Sequence, residues 1–242
     1  MKTTHILINI FLLYCFSSFA QNGGGKVEYS LEIFFQNNQN NTPDKTKEIL
    51  NNISEASESV NLELIFNHNK SVFRHQKSIL PENISPTFYA MAKMIGSKGI
   101  YFTDIVNNNQ VLEINRGGKT YLINLEKKDI EWSLTKETKQ IGKYKCYLAF
   151  TNEIIRNNNH KIIAWYAPNI AAPFGPLKYG KLPGLILELE YGNTLIFKAK
   201  KISFENINYS IEFPKKGTVI SELEYSKIST QNLQSFKDDL KR

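Results

Sequence analysis

The sequence predicts a single, mostly β domain built on a largely antiparallel sheet with two or three short helices. Apolar and polar residues alternate in several stretches, first at Val27, Tyr29, Leu31 and Ile33, and this period of two is typical of strands with one buried face. Asparagine- and glycine-rich stretches separate the alternating runs, as turns do. About ten short strands with few helical patterns therefore indicate one antiparallel β domain.

Three more alternating rows and several apolar runs extend the strand prediction along the chain. The rows are Leu62, Leu64 and Phe66; Tyr121, Ile123 and Leu125; and Tyr144, Cys146, Leu148 and Phe150. Further strands are predicted near 70–76, 99–106, 110–116, 130–135, 160–166, 185–191 and 195–204.

One hairpin has a predicted register. A two-residue loop after strand 185–191 would mix apolar and polar faces. A three-residue loop at 192–194 places Leu189 opposite Phe197 and Glu188 opposite Lys198. Because a one-residue slip moves every side chain to the other face, the pattern favours the three-residue loop.

Two helices are predicted from their capping residues. Thr42 is the expected cap of the first helix, with Pro43 at its first helical position. Ser85 and Pro86 repeat this start signal, and Gly96 marks the end of the second helix.

A third helix is predicted near the C-terminus, at about 230–241, where apolar residues fall at helical spacing. On the second helix, Met91 and Met94 are interpreted as core residues and not as a ligand-binding patch, since methionine on an apolar helix face usually fills gaps in a core.

The first twenty residues have the layout of a secretory signal peptide. Lys2 precedes an apolar run at 6–16, and small residues follow at Ser18 and Ala20. The run is too short to cross a membrane as a helix, and no later segment is apolar for long enough. We therefore expect residues 1–20 to be removed and 21–242 to form a soluble, exported domain in the periplasm or outside the cell.

Composition limits the chemistry of the exported chain. Signal removal takes Cys15 and leaves Cys146, so no internal disulfide and no cysteine-cluster metal site is expected. The net charge of +7 comes from lysines that are scattered among acidic residues. We therefore predict a solvated surface and no nucleic-acid partner.

Motifs between 132 and 191 carry a family resemblance. They are Trp132-Ser133-Leu134, Ala164-Trp165-Tyr166-Ala167-Pro168, Phe174-Gly175-Pro176 and Lys181-Leu182-Pro183-Gly184-Leu185-Ile186. This region resembles the GLPGLI family, exported proteins of Bacteroidetes named for the last motif. Two departures are present: Lys181 stands at the first glycine of the motif, and the segment before Gly175 is looser than usual.

The resemblance implies a lineage and a compartment, because the family has no established activity. Its general appearance is similar to that of envelope carrier proteins, which implies a curved, half-barrel-like sheet with helices in the concavity. The sequence has no Gly-x-Ser-x-Gly elbow, no His-Glu-x-x-His motif and no phosphate loop, so we predict no cofactor, no metal and no catalytic residue.

Two interpretations of the motif loop remain open. In the first, a rigid double bend presents side chains to a ligand or partner. In the second, the same residues pack against the end of the sheet. Pro183 and Gly184 suit the central positions of a type II turn. The candidate ligand- or partner-binding residues are Trp165, Tyr166, Phe174, Tyr179, Leu182, Pro183 and Gly184.

Three functions are consistent with the sequence. The first is a non-catalytic, carrier-like cell-envelope protein that binds an apolar or peptide ligand or an outer-membrane partner. The second is an envelope hydrolase, for which Cys146 with His160, or Glu188, would be tested. The third is a purely structural interaction module. The sequence does not predict the oligomeric state.

Overall fold

A computed structural model describes residues 24–35, 43–125, 130–155, 158–204 and 209–228. The predicted signal peptide at 1–20, the predicted cap Thr42 and the predicted C-terminal helix at 230–241 lie outside these residues. Among the described residues, no helix combines the length and the apolar character that a membrane crossing requires.

The predicted fold class is confirmed, because the described chain forms a curved, unclosed, mostly antiparallel sheet with few helices. Its twelve strands are β1 (Gly24–Ile33), β2 (Asn61–Asn67), β3 (Lys70–His75), β4 (Ile100–Asp104), β5 (Asn109–Arg116), β6 (Lys119–Asn124), β7 (Ser133–Ile141), β8 (Tyr144–Ile155), β9 (Asn158–Ala167), β10 (Leu185–Tyr191), β11 (Leu195–Phe204) and β12 (Thr218–Ser221). Strand β7 begins later than the predicted run at 130–135 and continues past it.

Two antiparallel meanders make up most of the sheet. The strand order is β12-β6-β5-β4-β3-β2-β1-β11-β10-β9-β8-β7. Strand β1 pairs with β2 on one side and with β11 on the other, so it joins the meander β1–β6 to the meander β7–β11. Strand β12 was not predicted, and it pairs with β6 in parallel.

The predicted register of the β10–β11 hairpin is confirmed. Glu188 lies opposite Lys198 and Leu189 opposite Phe197, with 192–194 as the loop. Leu189 and Phe197 are both fully buried. The observed register places these two apolar residues together on one buried face, as the alternation of apolar and polar residues predicted.

The first of two longer helices, α1 (Asp44–Ser57), begins with Pro43 at the N-cap and not, as predicted, at the first helical position. The second, α2 (Pro86–Gly96), has the predicted cap Ser85 and ends at Gly96. A shorter helical segment occupies 222–228.

The prediction that both methionines of α2 fill the core is wrong. Met94 is 69% exposed and Met91 is 36% exposed. The helix buries Ala92 and Gly96 instead, since a Cβ on Gly96 would come within 2.2 Å of the Leu31 side chain. The helix thus approaches β1 closely through its small residues, and its methionines face away from that contact.

The inner face of the sheet is the face that carries Tyr29 and Leu31. All four apolar residues predicted on this face of β1 are at most 1% exposed. Leu31 packs against α2, and the Tyr29 hydroxyl donates a 2.5 Å hydrogen bond to the backbone oxygen of Ile186. The helices and the chain between β9 and β10 therefore cover this face and bury the core.

The opposite, outer face carries ion pairs between residues of different strands. Glu63 is held by Lys26 and Arg74, at 2.9 and 2.7 Å. Glu188 is held by Lys139 at 2.7 Å, although it is only 6% exposed. Glu63 of β2 lies beside bases of the adjacent strands β1 and β3, whereas Lys139 of β7 reaches Glu188 of β10 across β8 and β9, so neither buried charge is left unpaired.

The turn of the Lys181–Ile186 motif is not the predicted type II turn. The N–H of Gly184 donates to the oxygen of Leu182 at 2.7 Å, which makes a three-residue turn centred on Pro183. Gly184 has φ +153°, and a Cβ there would lie 2.3 Å from the backbone oxygen of Ala167. This glycine is therefore required by the close passage of two backbone segments.

Lys181 stands where the motif that this region resembles has its first glycine, and its backbone adopts a conformation that glycine tolerates best. Its φ is +63°, in the left-handed region where a Cβ is unfavourable. We predict that Lys181→Gly is more stable than Lys181→Ala by about 1 kcal/mol, since both variants lose the same side chain and only glycine avoids the strain. Urea unfolding measures the difference. The control position is Glu55, which is exposed in α1; there Glu55→Ala should be more stable than Glu55→Gly. If the alanine variant is the more stable one at both positions, the argument for strain at Lys181 is contradicted.

His75 lies at the end of β3, beside the C-terminus of α2. Its Nε2 lies 3.2 Å from the backbone oxygen of Ser97, to which the neutral ring donates. Its Nδ1 is buried and has no hydrogen-bond partner among the described residues. Burial lowers the pKa of His75, and the positive charge of Lys93 adds to this effect. The folded protein therefore favours the neutral imidazole.

We predict that stability falls as the pH is lowered below about 6.5, the ordinary pKa of histidine. In that range His75 is protonated more readily in the unfolded state than in the folded state, so acid favours unfolding. Thermal melts of His75→Gln should show a smaller loss between pH 7.5 and 5 than the wild type. His68→Gln, at an exposed position, is the matched control and should behave like the wild type. An equal loss in all three proteins would exclude His75 as the cause.

Candidate functional site

Residues 168–184, the strap, connect β9 to β10 across the inner face. Adjacent antiparallel strands need only a short hairpin loop, and connections this long without secondary structure are uncommon. The Phe174 ring packs 6.1 Å from the Phe66 ring of β2, and Gln110 of β5 donates a 3.0 Å hydrogen bond to the backbone oxygen of Lys178. The strap therefore links the two meanders.

The predicted binding residues do not share one accessible surface. Tyr166, Phe174, Tyr179 and Leu182 are between 1% and 6% exposed. Their burial fastens the strap to the sheet, as the packing interpretation expects.

The other three predicted residues lie apart from that group. Trp165 is half-buried on the outer face, where Lys139 Nζ lies 5.4 Å from its ring. Gly184 is buried and Pro183 is exposed. Trp165 and Tyr166 point to opposite faces because they are consecutive residues of one strand.

A small cavity lies between the strap and the β4–β5 hairpin. Its volume is about 20 Å³, and its lining includes Asp104, Gln110, Phe174 and Tyr179. A space of this size holds about one water molecule. A ligand of drug or lipid size would therefore have to displace the strap to enter here.

A polar cluster lies where the strap meets β8, with Glu153 of β8 at its centre. Lys178 Nζ donates to Oε1 of Glu153, and the Tyr179 hydroxyl donates to Oε2. The Glu153 and Lys178 side chains are 26% and 29% exposed, so solvent reaches both. Together with Tyr101 and Tyr191, these residues form what we call the tyrosine–glutamate cluster.

Aromatic rings surround the carboxylate. The Tyr179 and Tyr191 ring centroids are 6.2 Å apart, and His160 stacks on Tyr191 at 5.7 Å with 22° between the ring planes. His160 lies directly opposite Glu153 in the β8–β9 pairing. Trp132 meets Tyr179 edge-on at 6.3 Å, and its Nε1 donates to the oxygen of Gly180. The rings therefore flank a fixed hydrogen-bond acceptor.

Burial and negative charge keep the tyrosine hydroxyls protonated. Burial raises the pKa of Tyr179, and the charge of Glu153 raises it further. The same two causes raise the pKa of Tyr191 to about 12. Burial, followed by Glu222, Tyr191 and Glu153, raises the pKa of Tyr101. The three hydroxyls are therefore neutral at physiological pH, and Tyr101 lies within electrostatic reach of two carboxylates.

The carboxylate of Glu153 is engaged by its neighbours in the cluster. Both oxygens of Glu153 already accept hydrogen bonds from the protein, so this carboxylate is not poised as a general base. Within the described ranges, no group of three or more His, Cys, Asp or Glu side chains is arranged to hold a metal ion.

The catalytic pair considered from the sequence is not brought together. Cys146 and His160 lie on opposite faces of the β8–β9 pair, because His160 is opposite Glu153, and Glu153 and Cys146 point to different sides of β8. Burial, with the charge of Glu188, raises the pKa of Cys146 to about 11, so the thiol is a poor nucleophile. Glu188 itself is bound to Lys139.

Sequence reasoning found only Tyr179 among the five members of the cluster. The sequence correctly predicted that Tyr191 lies on the apolar face of β10, because Tyr191 alternates with Glu190 along the strand. The alternation did not mark Tyr191 as a site residue. Tyr101, Glu153 and Lys178 carry no motif. They meet because the strap and the curved sheet bring β4, β8 and β10 together, which no local pattern encodes.

Comparison with solved structures identifies relatives of the fold. Two structures of PNGF-II, in the P21 and C2 space groups, resemble the chain with TM-scores of 0.54 and 0.53 at 15% and 14% identity. The match covers 85% and 84% of this chain, and 33% and 32% of the PNGF-II chain. The chain thus spans about a third of PNGF-II, and at this identity the likeness concerns the fold alone.

Comparison with sequences points to the motif region. No curated protein matches the chain. Residues 151–188 match the model of an uncharacterised family, described as protein of unknown function (Porph_ging). This is the GLPGLI-type family, and the match falls within 132–191, so the family resemblance predicted from the motifs is confirmed.

Proposed function

We propose that the protein is an exported, non-catalytic binding protein of the cell envelope, and that its ligand binds at the tyrosine–glutamate cluster. The observation that carries this proposal is the meeting of Glu153, Tyr179 and Tyr191, from two strands and the strap, at a solvent-accessible point, with Tyr101 of β4 within their electrostatic reach. Polar groups that converge among aromatic rings are typical of ligand sites. Export is proposed from the signal sequence at 1–20.

The ligand class that suits this chemistry is a short peptide with an apolar side chain. Tyrosine and tryptophan rings offer apolar contact area, and their hydroxyl and indole groups can bond to peptide groups. The strap serves as a rigid backing, since Tyr179 is 3% exposed and bonded to Glu153. Binding at the accessible rim of the cluster requires no opening of the packed core beneath the strap.

The alternative of a structural interaction module has one observation in its favour. Strand β7 lies at the edge of the sheet and is exposed along most of its length. However, Lys136 and Lys139 lie on this edge, and its pairing with β8 is irregular between Leu134 and Thr138. Lysines and irregular pairing are devices that block edge-to-edge association. The geometry therefore favours the cluster over the edge.

The two tryptophans allow a direct test of the proposed function. Trp132 contacts the cluster, whereas Trp165 lies on the outer face. We predict that pooled short peptides from a digested protein change the fluorescence of Trp165→Phe, in which Trp132 alone reports, in a saturable manner. The reason is that a bound peptide alters the polarity around the indole.

The matched control is Trp132→Phe, in which Trp165 alone reports. Its fluorescence should not change with the same peptides. Tyr191→Phe, combined with Trp165→Phe, should weaken the response because it removes one hydroxyl and keeps the ring. The proposed site is excluded if both single-tryptophan proteins respond alike, or if neither responds.

A further inference from the structure

We infer that the site selects an aromatic side chain of the bound peptide, which stacks on the face of His160 that Tyr191 does not cover. This inference rests on the proposed function and names the kind of side chain that the site accepts. It follows from a row of rings that ends at His160, from the partial exposure of that ring, and from the glycine beside it.

Four rings form a continuous row at the site. Trp132 meets Tyr179 at 6.3 Å between ring centroids, and Tyr179 meets Tyr191 at 6.2 Å. Tyr191 then meets His160 at 5.7 Å. The planes of this last pair are 22° apart, whereas those of the first two pairs are 66° and 54° apart. His160 therefore ends the row as an offset, nearly parallel stack, which is a favourable arrangement of aromatic rings.

The row is buried at its middle and reaches solvent at His160. Tyr179 is 3% exposed, whereas Tyr191 and His160 are each half-buried. Among the described residues, Tyr191 is the one ring that packs against His160, and it covers one face of the imidazole. A ligand ring on the opposite face would extend the row by one member.

Gly192 leaves space beside His160. It follows Tyr191 in the β10–β11 loop, where its N–H donates a 2.9 Å hydrogen bond to the backbone oxygen of Lys161. A Cβ at Gly192 would lie 3.4 Å from Nδ1 of His160, so a larger side chain would crowd the imidazole. The loop thus brings backbone, and no side chain, to the edge of this ring.

The chemistry of the row favours an aromatic ring over a saturated ring of similar size. Stacked rings attract each other beyond what the burial of apolar area contributes, and a saturated ring lacks that attraction. Glu153 lies opposite His160 in the β8–β9 pairing. Its carboxylate has about four lone-pair sites, and Lys178 and Tyr179 donate to two of them. The remaining sites are available to a backbone N–H of the same peptide.

The test compares two tripeptides of matched shape: alanyl-phenylalanyl-alanine and its analogue with cyclohexylalanine at the centre. Isothermal titration calorimetry should show that the phenylalanine peptide binds the wild-type protein about fivefold more tightly. A preference based on apolar area alone would instead favour the cyclohexyl peptide, which has more CH₂ groups to bury. Equal binding, or tighter binding of the cyclohexyl peptide, overturns the inference.

Substitutions assign the preference to His160. His160→Leu keeps a side chain of similar size but removes the ring, so the two peptides should bind it equally. Gly192→Asn places a side chain beside the imidazole, and asparagine tolerates the φ of +57°. This variant should weaken binding of the phenylalanine peptide about fivefold. The matched control is Gly142→Asn, which should keep the full preference, because Gly142 has φ +56° and a Cβ there would meet no atom within 4 Å.

The outcomes separate this inference from the proposed function. If pooled peptides change the Trp132 fluorescence but the phenylalanine and cyclohexyl peptides bind equally, the aromatic selection is wrong and the binding site stands. If pooled peptides have no effect at Trp132, both fall. If the preference and the affinity persist in His160→Leu and Gly192→Asn alike, the aromatic side chain binds elsewhere and the inference is overturned.

Discussion

The packing of the strap against the inner face is the interaction on which the rest of the structure depends. Phe174 and Leu182 are each 1% exposed, and burying such side chains contributes about 1.5–3 kcal/mol apiece. The strap reaches β2 through Phe174 and β5 through the Lys178 carbonyl. Without it, the part of the inner face that the helices do not cover would be left in water. The packing of the strap also fixes Lys178 and Tyr179 against β8, which gives the tyrosine–glutamate cluster a defined shape.

Much of the sheet could be predicted because its strands follow local patterns. Alternation at β1 and β2 marked the inner face, and the same argument fixed Leu189 opposite Phe197. Strand β12 escaped prediction because its four residues are mostly exposed and carry no alternating buried face. The methionines of α2 were misassigned because helical spacing shows that a face is apolar, but not that another element covers it.

The candidate functional site was harder to predict than the sheet, because most of its residues belong to no sequence motif. Tyr179 stood out because it belongs to a distinctive motif. Glu153 lies within a run of ordinary strand residues, and its partners Lys178 and Tyr179 are 25 and 26 positions away along the chain. The motif residues determine the backbone conformation of the strap: Lys181 has a left-handed backbone, and Gly184 allows two backbone segments to pass closely. Motif residues thus shape the strap, and less distinctive residues line the site.

The pairing of β1 with β11 also has a consequence for the order of folding. Ser30 and Lys198 are neighbours in the sheet although 168 positions separate them. When the chain is made or threaded from its N-terminus, β1 can pair with β2 early, but its other edge waits for almost the last strand. Closing such a distant contact costs loop entropy and slows folding. During that interval, β1 presents a hydrogen-bonding edge beside apolar side chains, which exposes the incomplete chain to pairing with strands of other molecules.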